Sequence, residues 1–125
     1  MKYYLSLGSN INPELNLELA ISALNQILTE TERSSIYKTQ AEGFEGDDFL
    51  NLIFSGVSSL AFEDLNKKLK DIEDSSGRDR NAQKFSSRTL DIDIVLQLND
   101  EEEILFESDE IAKYRFVSEP LEELL

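Results

Sequence analysis

The chain has 125 residues, 40% of them hydrophobic, with 5 Gly and 2 Pro, a makeup that suits one compact domain, residues 1–125, around a single core. It contains no Cys and no His, which excludes a disulfide framework, thiolate chemistry and imidazole ligation, so any metal would have to sit on oxygen. Twelve Lys and Arg stand against 26 Asp and Glu for a net charge of −14, which disfavours nucleic acid and anionic lipid as partners. Residues 1–10 have neither a basic segment nor a long apolar run, so neither a signal peptide nor a membrane span is expected, and the placement expected is cytoplasmic.

Taken in chain order, residues 2–7 read as a strand with Tyr3, Leu5 and Leu7 on one face, ending in the turn-forming Gly8-Ser9-Asn10. Asn12 before Pro13 marks a helix start, and Leu17, Ala20, Ile21, Leu24, Ile27 and Leu28 recur at helical spacing, so this helix should pack on a sheet. Residues 33–39 read as a second strand and residues 41–48 as an acidic, glycine-bearing loop. Residues 49–57 read as a third strand, in which Gly56 signals a bulge or a close approach.

Helical spacing returns over residues 60–74 through Leu65, Leu69 and Ile72, with Gly77 as the stop, and a loop over residues 75–88 follows. Residues 90–98 alternate, with Leu90, Ile92, Ile94, Leu96 and Leu98 on one side and Asp91, Asp93, Val95 and Gln97 on the other. Residues 102–106 suggest a further strand and residues 118–125 a short terminal helix. The order strand, helix, strand, strand, helix, strand predicts an α+β, ferredoxin-like βαββαβ sandwich, an antiparallel sheet with helices packed on one face.

Two features point to chemistry. Asp91 and Asp93 project from the same strand face about 7 Å apart, close enough to share a cluster of cations, and magnesium favours such carboxylates together with water and phosphate oxygens. Residues 78–88 hold Arg78, Arg80, Lys84 and Arg88 against Asp79 alone. That gives this stretch +3 and leaves −17 on the rest of the chain. Planar guanidinium groups bind phosphate oxygens in pairs and stabilise charge that develops during transfer. Taken alone, the two aspartates could equally be a solvated sheet face, and the cations could be exposed surface groups.

Gly77-Arg78-Asp79-Arg80 followed by Arg88-Thr89-Leu90-Asp91-Ile92-Asp93-Ile94 resembles the signature of the 6-hydroxymethyl-7,8-dihydropterin pyrophosphokinase family. Leu7-Gly8-Ser9-Asn10, residues 35–39 and Phe49-Leu50-Asn51 agree with it in order. The resemblance implies transfer of pyrophosphate from ATP to a pterin alcohol in folate biosynthesis. It implies that Asp91 and Asp93 hold two magnesium ions, and that Arg78, Arg80 and Arg88 bind the phosphates. Lys84 and Glu73 would assist with the nucleotide. Asn51, with groups at Thr39 and Glu42, would read the pterin edge, while Phe49 and Phe116 would stack on the ring, an arrangement worth about 0.5–1.5 kcal/mol per aromatic pair beyond area burial.

The chain departs from the family after Leu98 and at one position of the basic loop. Ser108-Asp109-Glu110 stands where a His-Pro segment is usual, Arg115 is displaced by one position, and Phe85 replaces a common tryptophan. Two alternatives therefore remain beside the expected monomeric enzyme: a non-catalytic pterin- or nucleotide-binding relative, and an acidic interaction domain.

Overall fold

The computed structural model describes residues 1–40, 47–77 and 89–125. The described residues form strand β1 (Lys2–Ser9), helix α1 (Pro13–Ile27), strands β2 (Thr29–Arg33), β3 (Tyr37–Thr39) and β4 (Phe49–Val57), helix α2 (Phe62–Ser75), strands β5 (Asp91–Leu98) and β6 (Ile104–Glu107), and helices α3 (Glu110–Lys113) and α4 (Arg115–Leu124). The strands make one antiparallel sheet in the order β2-β4-β1-β5-β6, with β3 also paired to β4. This is the expected α+β, ferredoxin-like arrangement.

One sheet face is covered by α1 and α2. Tyr3, Leu5 and Leu7 of β1, Leu52 and Phe54 of β4, and Ile92 and Ile94 of β5 pack there against Leu17, Ala20 and Leu24 of α1 and Leu65 and Leu69 of α2. Gly56 is explained by close approach: a Cβ there would lie 2.8 Å from Leu28 Cβ, so a side chain would push the end of α1 off the sheet. The stop after α2 is as expected, with Gly77 at φ 85° and its N–H on the Asp74 carbonyl at 3.0 Å.

The opposite face carries a second cluster, in which Tyr4, Ile53, Val95 and Leu96 pack against Val117 and Leu121 of α4. The terminal helix begins at Arg115, three residues before the expected start at residue 118. Pro120 removes one helical hydrogen bond, but Val117, Pro120 and Leu121 fall on one face and are all buried, so packing decides the conformation. At its far end, Glu123 accepts hydrogen bonds from Ser35 N at 2.9 Å, Ser35 Oγ at 2.7 Å and Tyr37 Oη at 2.5 Å, which ties α4 to the start of β3.

Four further local expectations are corrected. Residues 33–39 are not one strand: β2 ends at Arg33, and Ser34 makes the jog, its N–H donating to Ile53 O and its Oγ accepting from Ile53 N, both at 2.9 Å. The expected alternation of β5 holds only to Ile94. A register shift against β1, from Tyr4↔Leu96 to Leu5↔Ile94, leaves Val95 as an extra residue. Leu96 and Leu98 thus join the α4 side, while Gln97 turns inward and donates to Tyr3 Oη at 3.1 Å. Asn12 does precede α1, but with φ 43° and no side-chain cap bond. Finally, β6 runs Ile104–Glu107 rather than 102–106.

Two substitutions test this packing. Leu121→Ala should cost about 2–5 kcal/mol in denaturant unfolding, since it hollows the seat of α4. Ser55→Ala should be neutral or stabilising by up to about 1 kcal/mol, because the buried Ser55 hydroxyl has no hydrogen-bond partner among the described residues.

Candidate active site

The site is assembled by strand register. Tyr37 pairs with Asn51, Asn51 with Gly8, and Gly8 with Asp91, so β3, β4, β1 and β5 place four residues in one row across the sheet. Paired residues on antiparallel strands share a face, so the Asn51 carboxamide and the Asp91 carboxylate rise from the same side, with their backbones about 10 Å apart. Gly8 leaves the space between them. A Cβ there would sit 3.0 Å from Asn51 Oδ1 and 3.9 Å from the Phe49 ring. Asn51 is buried, and its Nδ2 donates to Thr39 Oγ1 at 2.9 Å and toward Tyr37 O at 3.4 Å, which turns Oδ1 toward Gly8.

At the other end of the row, Asp93 follows Asp91 on the same face. The outer edge of β5 is not paired to β6 at this level, and α2 fills it with side chains. Glu73 lies on the buried stripe of α2 with Leu65 and Leu69, and its Oε2 accepts the Ile92 N–H at 2.7 Å. Lys70, one turn earlier, donates to Glu73 Oε2 at 3.2 Å, to Ile92 O at 3.2 Å and to Asp93 Oδ1 at 3.5 Å. Helix α2 thus supplies the donor and acceptor that a neighbouring strand would have offered.

Burial, and then the charge of Asp91, raise the Asp93 pKa to about 6, against the opposing pull of Lys70. Glu110, at the start of α3, is also held above its ordinary value, by burial first and next by Asp91. The carboxylates therefore feel one another across the site, which favours a proton or a cation between them.

Two chain segments return to the sheet beside this row. Ser9, fully buried, donates from Oγ to Thr89 O at 2.5 Å, and Thr89 Oγ1 meets Ser76 Oγ at 2.9 Å. Asn10 Nδ2 donates to Asp47 O at 3.0 Å. The Gly8-Ser9-Asn10 turn thus fixes the residues flanking both neighbouring segments.

Of the residues singled out from sequence, Thr39, Phe49, Asn51, Asp91 and Asp93 come together on this face. Phe116 is half-buried at the start of α4, on the same side of the sheet, stacked on Tyr114 with ring centres 4.9 Å apart and planes 25° from parallel. Glu73 is adjacent but fully enclosed, with its carboxylate engaged by β5. Glu42, Arg78, Arg80, Lys84 and Arg88 lie outside the described residues. Sequence reasoning missed Lys70 and Tyr114. The signal for Lys70 was a charged residue, Glu73, falling on an apolar helical stripe with a cation three positions before it.

The donor set suits a hard divalent cation. Asp91 and Asp93 offer two carboxylates on one face, and among the described residues no group of three or more acidic, imidazole or thiol ligands converges on one point. Two carboxylates with the remaining positions left to water and substrate oxygens is the pattern magnesium prefers.

A family profile described as 7,8-dihydro-6-hydroxymethylpterin-pyrophosphokinase (HPPK) matches residues 4–125. The chain belongs to the HPPK family. It is similar to the 2-amino-4-hydroxy-6-hydroxymethyldihydropteridine pyrophosphokinase of Aquifex aeolicus, at 37% identity over 95 residues covering 74% of this chain and 59% of that protein. It is also similar to a folate synthesis bifunctional protein of Arabidopsis thaliana, at 28% over 127 residues, covering 97% of this chain and 26% of the relative. The folate synthesis bifunctional protein of Chlamydia caviae matches at 36% over 100 residues, covering 74% of this chain and 22% of its own length. The matches thus span under two thirds of each of these relatives.

The raised Asp93 pKa gives a pH-dependent prediction. A carboxyl whose folded pKa lies above its unfolded value adds stability below the unfolded value and loses it as pH rises through the folded one. Without metal, Asp93→Asn should therefore melt above wild type at pH 7.5, and the difference should close by about pH 4, as read by paired thermal scans.

Proposed function

We propose that this chain transfers pyrophosphate from ATP to 6-hydroxymethyl-7,8-dihydropterin, giving AMP and the pterin pyrophosphate in folate biosynthesis. The observation that carries the reading is the row Tyr37–Asn51–Gly8–Asp91, which holds an amide able to read a heterocycle edge and a carboxylate pair on one sheet face. Family membership supplies the reaction class.

In this reading the pterin lies over Gly8, where the missing side chain gives room for a flat ring. Asn51 offers its amide to the ring edge, Phe49 bounds one side and Phe116 the other, and Thr39 and Glu42 help to read the pterin edge. Asp91 and Asp93 would hold two magnesium ions, which would supply neutralisation of phosphate charge. Arg78, Arg80, Lys84 and Arg88 take the phosphate oxygens. Glu73 assists the nucleotide site indirectly, by fixing the β5 edge.

The pterin hydroxymethyl oxygen attacks the β-phosphorus and forms the new O–P bond. The bond from that phosphorus to the α-phosphate oxygen breaks, AMP departs with the electron pair, and the hydroxyl proton passes to water. Transfer of this kind rests on positioning and charge neutralisation, so a chain without His can carry it. The reading includes a single domain acting as a monomer in the cytoplasm. It is supported by the net charge of −14 and by the lack, among the described residues, of any helix long and apolar enough to cross a membrane.

The test is AMP formation from ATP, magnesium and the pterin. Wild type should release AMP only when the pterin is present, Asp93→Ala should abolish release, and Asn51→Ala should raise the pterin KM by about tenfold, as loss of a buried hydrogen-bonding group implies. If the pterin binds but no AMP forms, the chain is a binding relative. If neither ligand binds, the reading falls.

A further inference from the structure

We infer that Lys70 is the resident counter-ion of Asp93, an ammonium that competes with a divalent cation for this carboxylate and so sets how tightly the nucleotide-free site holds metal. The inference rests on the reading of Asp91 and Asp93 as metal ligands. It deepens that reading by assigning a positioning residue on α2.

The argument starts from tethering. A lysine on an open surface swings away from a carboxylate at little cost, and its presence there carries no weight. Lys70 differs because two of its acceptors belong to the framework rather than to the site. Glu73 Oε2, on a side chain with 0% exposure, lies 3.2 Å from Nζ, and the Ile92 carbonyl also lies 3.2 Å away. The third, Asp93 Oδ1, is at 3.5 Å. Of these three acceptors, a cation on the aspartates would compete for only Asp93 Oδ1, leaving the two framework contacts in place.

If a divalent cation binds Asp93, the ammonium cannot retreat far without breaking its contacts to the buried Glu73 carboxylate and the Ile92 carbonyl. It therefore stays within a few ångströms and repels the metal. The same contacts orient Asp93, since Ile92 O and Asp93 Oδ1 are held by one donor from adjacent residues of β5. Lys70 therefore keeps the carboxylate aimed while lowering its affinity for a bare ion.

The experiment measures Mn2+ binding by calorimetry to wild type, Lys70→Gln and Lys70→Arg, each without and with ATP. Gln keeps a donor for Glu73 and the Ile92 carbonyl but removes the charge. Without ATP, Lys70→Gln should bind Mn2+ roughly five- to tenfold tighter than wild type, the effect of removing a nearby like charge at a partly solvated site, whereas Lys70→Arg should resemble wild type. A merely structural role predicts weaker or unchanged binding instead.

In the wild-type chain, the Lys70 Cε resonance should shift along the same saturation curve as Asp93 during a magnesium titration, a readout that needs no variant. Binding equal to or weaker than wild type in a folded Lys70→Gln, or a Lys70 resonance that stays still while Asp93 responds, overturns the inference and leaves the metal site standing. Absence of Mn2+ binding in all three chains even with ATP overturns the metal site itself, and the inference with it.

Discussion

Everything in this molecule depends on β1 being paired on both sides along its length. Because one strand sets register with β4 and β5 together, the positions of Asn51 and Asp91 relative to each other are determined by Gly8, which stands opposite both. A slip of one residue on either side would send a polar side chain of the row into the α1/α2 core. Apolar alternation in Tyr3, Leu5 and Leu7 guards against that slip. Each of these residues is fully buried, so the hydrophobic core and the geometry of the polar row are enforced by the same constraint.

A second constraint is the outer edge of β5 that β6 does not reach. A sheet edge next to a charged cluster invites water or a foreign strand. Here Glu73 and Lys70 close it from the side, at the cost of burying a carboxylate. Such a group is tolerated only with hydrogen bonds and a counter-charge, and removing its partner from a fully buried pair costs about 3–5 kcal/mol. Since Lys70 is partly exposed, the cost here is smaller, and the pair is best understood as joining α2 to the strand that carries the aspartates.

Much of the framework was legible because it rests on periodicity. The helical stripe of α1, the alternation of β1 and the strand 49–57 are direct consequences of which side chains must leave water. What escaped notice rests on other physics. The β2 sequence Thr-Glu-Thr-Glu-Arg has no apolar face to announce it, since an edge strand needs none. The break after Arg33 depends on a serine hydroxyl taking over a backbone bond, and the inversion in β5 on one residue extra to the β1 register. The start of α4 at Arg115 rather than at residue 118 depends on tertiary packing of its buried face, Val117, Pro120 and Leu121. For the site, the Asp91/Asp93 pair and Asn51 were legible from spacing and motif. Lys70 was not, because its role arises only where two elements distant in sequence meet.

Val95 has a wider consequence. By shifting the strand's facing at one residue, it allows a single side of β5 to be open at Asp91 and Asp93 and covered by α4 at Leu96 and Leu98. Along the strand, the surroundings pass from a half-buried carboxylate pair to a closed apolar cluster. Charges at the open end thus sit at the margin of a low-dielectric wall, where field lines are squeezed toward whatever ligand occupies the gap. One additional residue in a strand gives the sheet a built-in dielectric gradient.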